Sequence, residues 1–271
     1  MGSNAPTVYD GCFSSEAALV SAISRMVDSQ DLSHGDRVSF YRCRLPGDAI
    51  ATIILPPMAH AGITAVVSRI PVSKYSLKDL RVEKRISQSA ESGLKKAVSS
   101  KKRILVAAPS FSQQDCILRA LLSEIDPAER LLTVEAITRS TPDSPNWLRL
   151  EASSWMTRGS IDDIDVVGIA NAMKMQRLFV EARLKSTLLS ICCVSGELKS
   201  GMLVAVEAPD SAGIFDYLAT KFESDHLARM IATNFDSLIY ISEKEQNKME
   251  VKLFDIKVEG VGKPRLVPSS L

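Results

Sequence analysis

No run in this sequence comes near the ~18 consecutive apolar residues of a membrane-spanning helix. The longest apolar stretch, Leu188 to Val194, is interrupted by Ser190 and reads as buried structure. An excess of one charge is missing too: 33 basic and 32 acidic residues leave a net charge of +1. A field that weak gives no reason to expect nucleic acid or an anionic membrane surface as a partner. Cysteines are few, odd in number and scattered: Cys12, Cys43, Cys116, Cys192 and Cys193 form no C-x-x-C pair and have no histidine at ligand spacing. That excludes a disulfide framework and a zinc site, and it leaves the adjacent Cys192 and Cys193 as small hydrophobes. The three histidines, His34, His60 and His226, lie in polar or turn contexts with no carboxylate or thiol at useful spacing. Ser110 and Ser112 lack the G-x-S-x-G elbow and a histidine partner, which argues against hydrolase chemistry. Met1 to Ala5 contains no signal-peptide apolar region and reads as a cloning remnant, and Pro6 breaks the myristoylation pattern. A cytoplasmic protein is therefore expected.

What is present is ordinary core material: 45% apolar residues in 271, enough for about two domains. Ser15 to Val27 repeats Ala18, Leu19, Ala22, Ile23 and Met26 at helical spacing behind a Ser15 cap. It predicts a helix packed on a small sheet within residues 37–69. From Arg103 onward, apolar strands at 104–108, 131–135, 178–182 and 202–207 alternate with helical stretches, the pattern of a mostly parallel sheet with crossover helices. The alternating segments 236–242 and 249–256 read as an antiparallel hairpin at its edge. Lys95, Lys96, Lys101, Lys102 and Arg103 form a basic run without interleaved aromatics, which favours a solvated helix face or a subunit contact over nucleic acid.

The segment from Ile104 to Ala136 has the frame of a phosphate-binding strand, loop and helix. A P-loop reads G-x-x-x-x-G-K-[ST]: glycines let backbone N–H groups close around phosphates, the lysine neutralises charge and the hydroxyl ligates Mg²⁺. The corresponding positions here are Ala108, Pro109, Ser110, Phe111, Ser112, Gln113, Gln114 and Asp115. Both glycines, the lysine and the hydroxyl are replaced. Ala108 and Gln113 remove φ freedom, Pro109 removes an N–H donor, and Phe111 adds an apolar group expected to fold into the vacated pocket. Asp115 puts a negative charge where polyphosphate and metal would sit, and is expected to satisfy the helix dipole there.

The flanks of this segment carry a resemblance. LLSEIDPAERLLTVEA (Leu121 to Ala136), with Pro127, Glu129, Arg130 and Glu135, resembles the stretch after the P-loop in the type II/type IV secretion ATPases, the hexameric motors of conjugation, type IV secretion and tight-adherence pili. RVSFYRCRLPGDAIATIILPPMAHAGITAVVSRI (Arg37 to Ile70) is similar to that family's N-terminal domain, and SLKDL (Ser76 to Leu80) to the start of its linker. NWLRLEA (Asn146 to Ala152), NAMKM (Asn171 to Met175) and the stretch Phe235 to Gly260 match later elements, so the likeness of order and pattern runs over roughly residues 35–262.

The resemblance implies a RecA-like, P-loop-type α/β domain at 103–262, preceded by a trimmed α+β domain at 7–75 and a linker with a helix at 76–102, and followed by a tail at 263–271. It also implies that chemistry has been lost. The Walker B strand should end in Gly-Glu, but RLFVEA ends in Glu181 and Ala182; the histidine box has Lys199 and Glu207 at its two ends; and Ala136 replaces an acid. The expected protein is a catalytically inactive homologue, with no catalytic residue, no cofactor and no metal. It would act as an assembly or regulatory subunit of a bacterial secretion or pilus machine. The expected partners are subunits of that machine, an active paralogous ATPase among them, with at most peripheral association at the inner membrane and no nucleic acid. The alternative is a divergent NTPase using Glu135 and Glu181. The vestigial nucleotide positions are 108–115 together with Arg69, Glu135 and Glu181. Arg69 stands where the family's N-terminal domain reaches toward nucleotide, and its expected partner here is a carboxylate, Asp115.

Overall fold

The structure, a computed structural model, describes residues 12–28, 39–47, 49–69, 75–135, 144–151, 166–182, 185–194, 201–244, 248–258 and 264–269. The chain divides into two compact units, with the boundary in the main chain between Val72 and Ser73. In the first, helix α1 (Glu16–Asp28) starts where the sequence predicts, the Ser15 hydroxyl accepting the Ala18 N–H at 3.1 Å. Three antiparallel strands, β1 (Phe40–Leu45), β2 (Ala49–Ile54) and β3 (Thr64–Arg69), follow in that spatial order. Ile23 of the helix meets Tyr41, Ala51 and Ile53 of the sheet in a small core. Strand β3 is one of the two edge strands and is exposed along its whole length.

The second unit is built on an eight-stranded sheet. Six strands are parallel neighbours: β4 (Arg103–Ala108), β5 (Leu131–Glu135), β6 (Trp147–Glu151), β7 (Arg177–Glu181), β8 (Gly201–Glu207) and β9 (Ser237–Glu243). The predicted hairpin is β9 with the antiparallel β10 (Met249–Lys257). A short strand in the expected tail, β11 (Arg265–Pro268), lines its outer side, giving the order β11-β10-β9-β4-β8-β7-β5-β6. Strand β4 lies inside the sheet and is covered on both faces, which is why its sequence is an unbroken apolar run rather than an alternation. Side chains still alternate by face. Leu105 and Ala107 point into one core, and Ile104, Val106 and Ala108 into the other.

The first core is closed by helices α5 (Val166–Ala172), α6 (Lys185–Val194), α7 (Ile214–Lys221) and α8 (Asp225–Asn234). The second is closed by α2 (Leu77–Val82), α3 (Gln88–Ser99) and α4 (Phe111–Ser123). Residues 76–102, expected as a linker, are thus a wall of the second unit. Leu77, Leu80, Leu94, Ala97 and Val98 are fully buried at helical spacing, and Ser76 and Ser87 cap the two helices. Among the described residues no helix is long and apolar enough to cross a membrane.

At the amino ends of the parallel strands lies an ion cluster built on the buried Arg177 and the mostly buried Glu129, with the exposed Lys101 at its edge. Glu129 takes Arg177 through two hydrogen bonds, 2.9 Å from Nε and 3.3 Å from one terminal nitrogen, and Lys101 at 2.9 Å. Burial alone would raise the Glu129 carboxyl, but the Arg177 and Lys101 hydrogen bonds outweigh it and hold the group below its usual range. Gly201 makes room for the cluster: a Cβ there would stand 2.4 Å from the Arg177 guanidinium and 3.0 Å from the Lys101 Cα.

Candidate functional site

In open α/β sheets ligands bind outside the carboxyl ends of the strands, so the positions that matter lie where β4, β5, β7 and β8 end. Strand β4 ends at Ala108 and helix α4 begins at Phe111. Only Pro109 and Ser110 connect them, and Phe111, Ser112, Gln113, Gln114 and Asp115 are already helical. A wrap of backbone N–H groups around phosphate requires a loop over most of those positions. Phe111 is buried in the core between α4 and the sheet, a contribution of about 1.5–3 kcal/mol.

The N-terminus of α4 carries a carboxylate from elsewhere in the chain. Glu207, at the end of β8 and directly across from Ala108 in the strand register, accepts the Phe111 N–H at 3.1 Å. Its other oxygen faces Lys221 of α7 at 3.6 Å. Gln114, at the position of the P-loop lysine, is fully buried and turned into the sheet, its amide donating to the Val206 carbonyl at 3.3 Å. Its Oε1 has no partner among the described residues. Asp115 lies a turn into the helix, where its ion-pair partner is Arg119, four residues on. The expectation that Asp115 satisfies the α4 dipole is therefore corrected: Glu207 holds that place, because the helix starts earlier than the P-loop frame suggests. Arg69 lies in the first unit, exposed at the end of β3 opposite Ala49.

Four adjacent strands, β6, β5, β7 and β8, each end on a glutamate: Glu151, Glu135, Glu181 and Glu207. Glu135 and Glu181 are buried, and Ala182 follows the strand rather than ending it. Glu181 is thus the acid at the end of β7. Among the described residues no group of His, Cys, Asp or Glu is arranged to hold a metal ion. His60 and His226 are exposed, Cys116 and Cys192 are buried thiols and Cys12 is an exposed one. His34 and Lys199 lie outside the described residues, and so do the side chains of Cys43 and Cys193.

The basic run is largely neutralised where it stands. Lys95 pairs with Glu91, Lys101 with Glu129, Lys102 with Asp255 and Arg103 with Asp236. Such a run has little free charge to offer a phosphate backbone.

The sequence reading had Glu207 only as a substitution at the end of a motif. Its bond to Phe111 follows from the parallel register of β4 and β8, which places Glu207 beside Ala108.

No family model matches the sequence, and no curated protein matches it. Solved structures do match. The VirB11 ATPase from the Brucella suis type IV secretion system, in complex with sulphate, is similar at TM-score 0.50 and 18% identity, over 89% of this chain and 80% of its own. The Legionella pneumophila ATPase DotB is similar at TM-score 0.56 and 15% identity, over 88% of this chain and 68% of its own. The pilus retraction motor PilT with bound ADP is similar at TM-score 0.54 and 10% identity, over 85% of this chain and 64% of its own. The fold of this chain is that of the type II/type IV secretion ATPases.

Proposed function

We propose that the chain is a secretion-ATPase homologue that does not turn over ATP and serves as an assembly or regulatory subunit of a bacterial secretion or pilus machine. One observation carries this reading: the helix N-terminus that would receive phosphate follows a two-residue connection and already bonds Glu207. Phosphoryl transfer depends on positioning and on positive charge around the developing anion. Here the lysine position holds a glutamine bonded to β8, and the strand ends present carboxylates. What remains is a scaffold with the family's layers, suited to contacts with the subunits of such a machine, an active ATPase among them.

The test is phosphate release from MgATP, expected at the rate of a protein-free control. A magnesium-dependent release abolished by Glu135→Gln would establish the second reading, a divergent NTPase, which the burial of Glu135 and Glu181 on the neighbouring strands β5 and β7 favours. The subunit role has its own measurement. Mass photometry of the chain alone is expected to show a monomer or dimer, with rings formed only together with an active paralogue, and a stable homohexamer without a partner would contradict it.

A further inference from the structure

A cationic cluster lies where the turn between α2 and α3 meets α4, about a turn beyond the start of that helix. The Arg85 side chain is mostly buried, 18% exposed, yet its guanidinium meets no oxygen at hydrogen-bond distance among the described residues. One terminal nitrogen donates to the Cys116 thiol at 3.4 Å, the other stands 3.9 Å from the Glu83 carboxylate, and Nε has no acceptor. Burial pushes the Cys116 thiol up, so it stays neutral at pH 7 and does not compensate the charge. Arg119, 9% exposed and one helical turn beyond Cys116, brings a second guanidinium to the same place. The Arg85 and Arg119 guanidinium carbons lie 5.8 Å and 5.4 Å from the centre of the Tyr75 ring.

The ring and the ion pair of Arg119 with Asp115 offset part of this charge. They leave Arg85 with a planar fork of donors and only sulfur and a π-face to receive them. A guanidinium is shaped to hold two oxygens of one anion, and burying it without them is costly. We propose that Arg85, with Arg119 and Tyr75 behind it, forms a binding site for a small oxyanion, a phosphate or a carboxylate group. Glu83, 53% exposed at the rim, is the competitor that the anion displaces.

The probe is inorganic phosphate, titrated into the full chain at constant ionic strength against chloride, with acetate in parallel to separate a tetrahedral from a planar oxyanion. Thermal melting and calorimetry are the readouts. A saturable rise in Tm of about 5–10 °C at 100 times the Kd is expected with at least one of the two anions. Arg85→Lys, which keeps the charge and the fold but loses the fork, should weaken binding at least tenfold. Glu83→Gln should tighten it. Three results would overturn the site: no rise beyond chloride with either anion, affinity unchanged in Arg85→Lys, or a rise lost in Lys221→Ala and kept in Arg85→Lys, which would place the anion at the N-terminus of α4 instead.

Discussion

The two ends of the parallel sheet carry charge in different ways. At the amino ends, the buried Arg177 and the exposed Lys101 both hold the mostly buried Glu129 carboxylate beside Gly201. At the carboxyl ends, where this fold places ligands, four strands end on glutamates and the α4 N–H is bonded to one of them. The first end is scaffold and the second is a ligand position whose donor has been given to the chain itself. A fold can keep its architecture through the first while the chemistry of the second changes.

The largest expected effect lies at the scaffold end. Glu129→Ala leaves Arg177 buried and unpaired and should cost about 3–5 kcal/mol by urea unfolding, the usual penalty for breaking a buried pair. The pH dependence has a definite sign. Because the folded Glu129 carboxyl is depressed, its contribution is fully present above the unfolded value near 4.5 and is lost as pH falls through the lower folded value. Unfolding measured from pH 6 downward should therefore show stability declining below about pH 5, with a shallower decline in Glu129→Gln. An equal slope in both proteins would remove Glu129 from the scaffold argument.

A smaller effect is expected at the other end. Glu207→Ala removes one acceptor from a helix N-terminus, partly exposed, and should cost about 0.5–2 kcal/mol, as loss of a helix cap does. If Glu207→Ala proves as costly as Glu129→Ala, the carboxyl ends of the strands are scaffold too and the contrast fails.

Much of the fold was legible in the sequence because buried parallel strands are continuous apolar runs. Those at 104–108, 131–135 and 202–207 fall on β4, β5 and β8 within a residue at each end. Strand β11 was not legible: RLVP is short, exposed and ends in proline, the composition of an outer strand. The packing of residues 77–99 escaped because their lysines and serines suggest a solvated linker, while the buried positions recur only every three or four residues. At the candidate site, the altered positions 108–115 could be read from spacing alone. The start of α4 at Phe111 and its bond to Glu207 could not, since they depend on a register between strands almost a hundred residues apart.

The central claim is that the carboxyl ends of the strands no longer accept nucleotide, and melting of the full chain with millimolar MgATP or MgADP tests it most directly. A ligand at 100 times its Kd stabilises a protein by about 2.7 kcal/mol, or roughly 5–10 °C in a chain of this size. The account predicts no such shift, and a reproducible one that disappears in Arg69→Ala would contradict it.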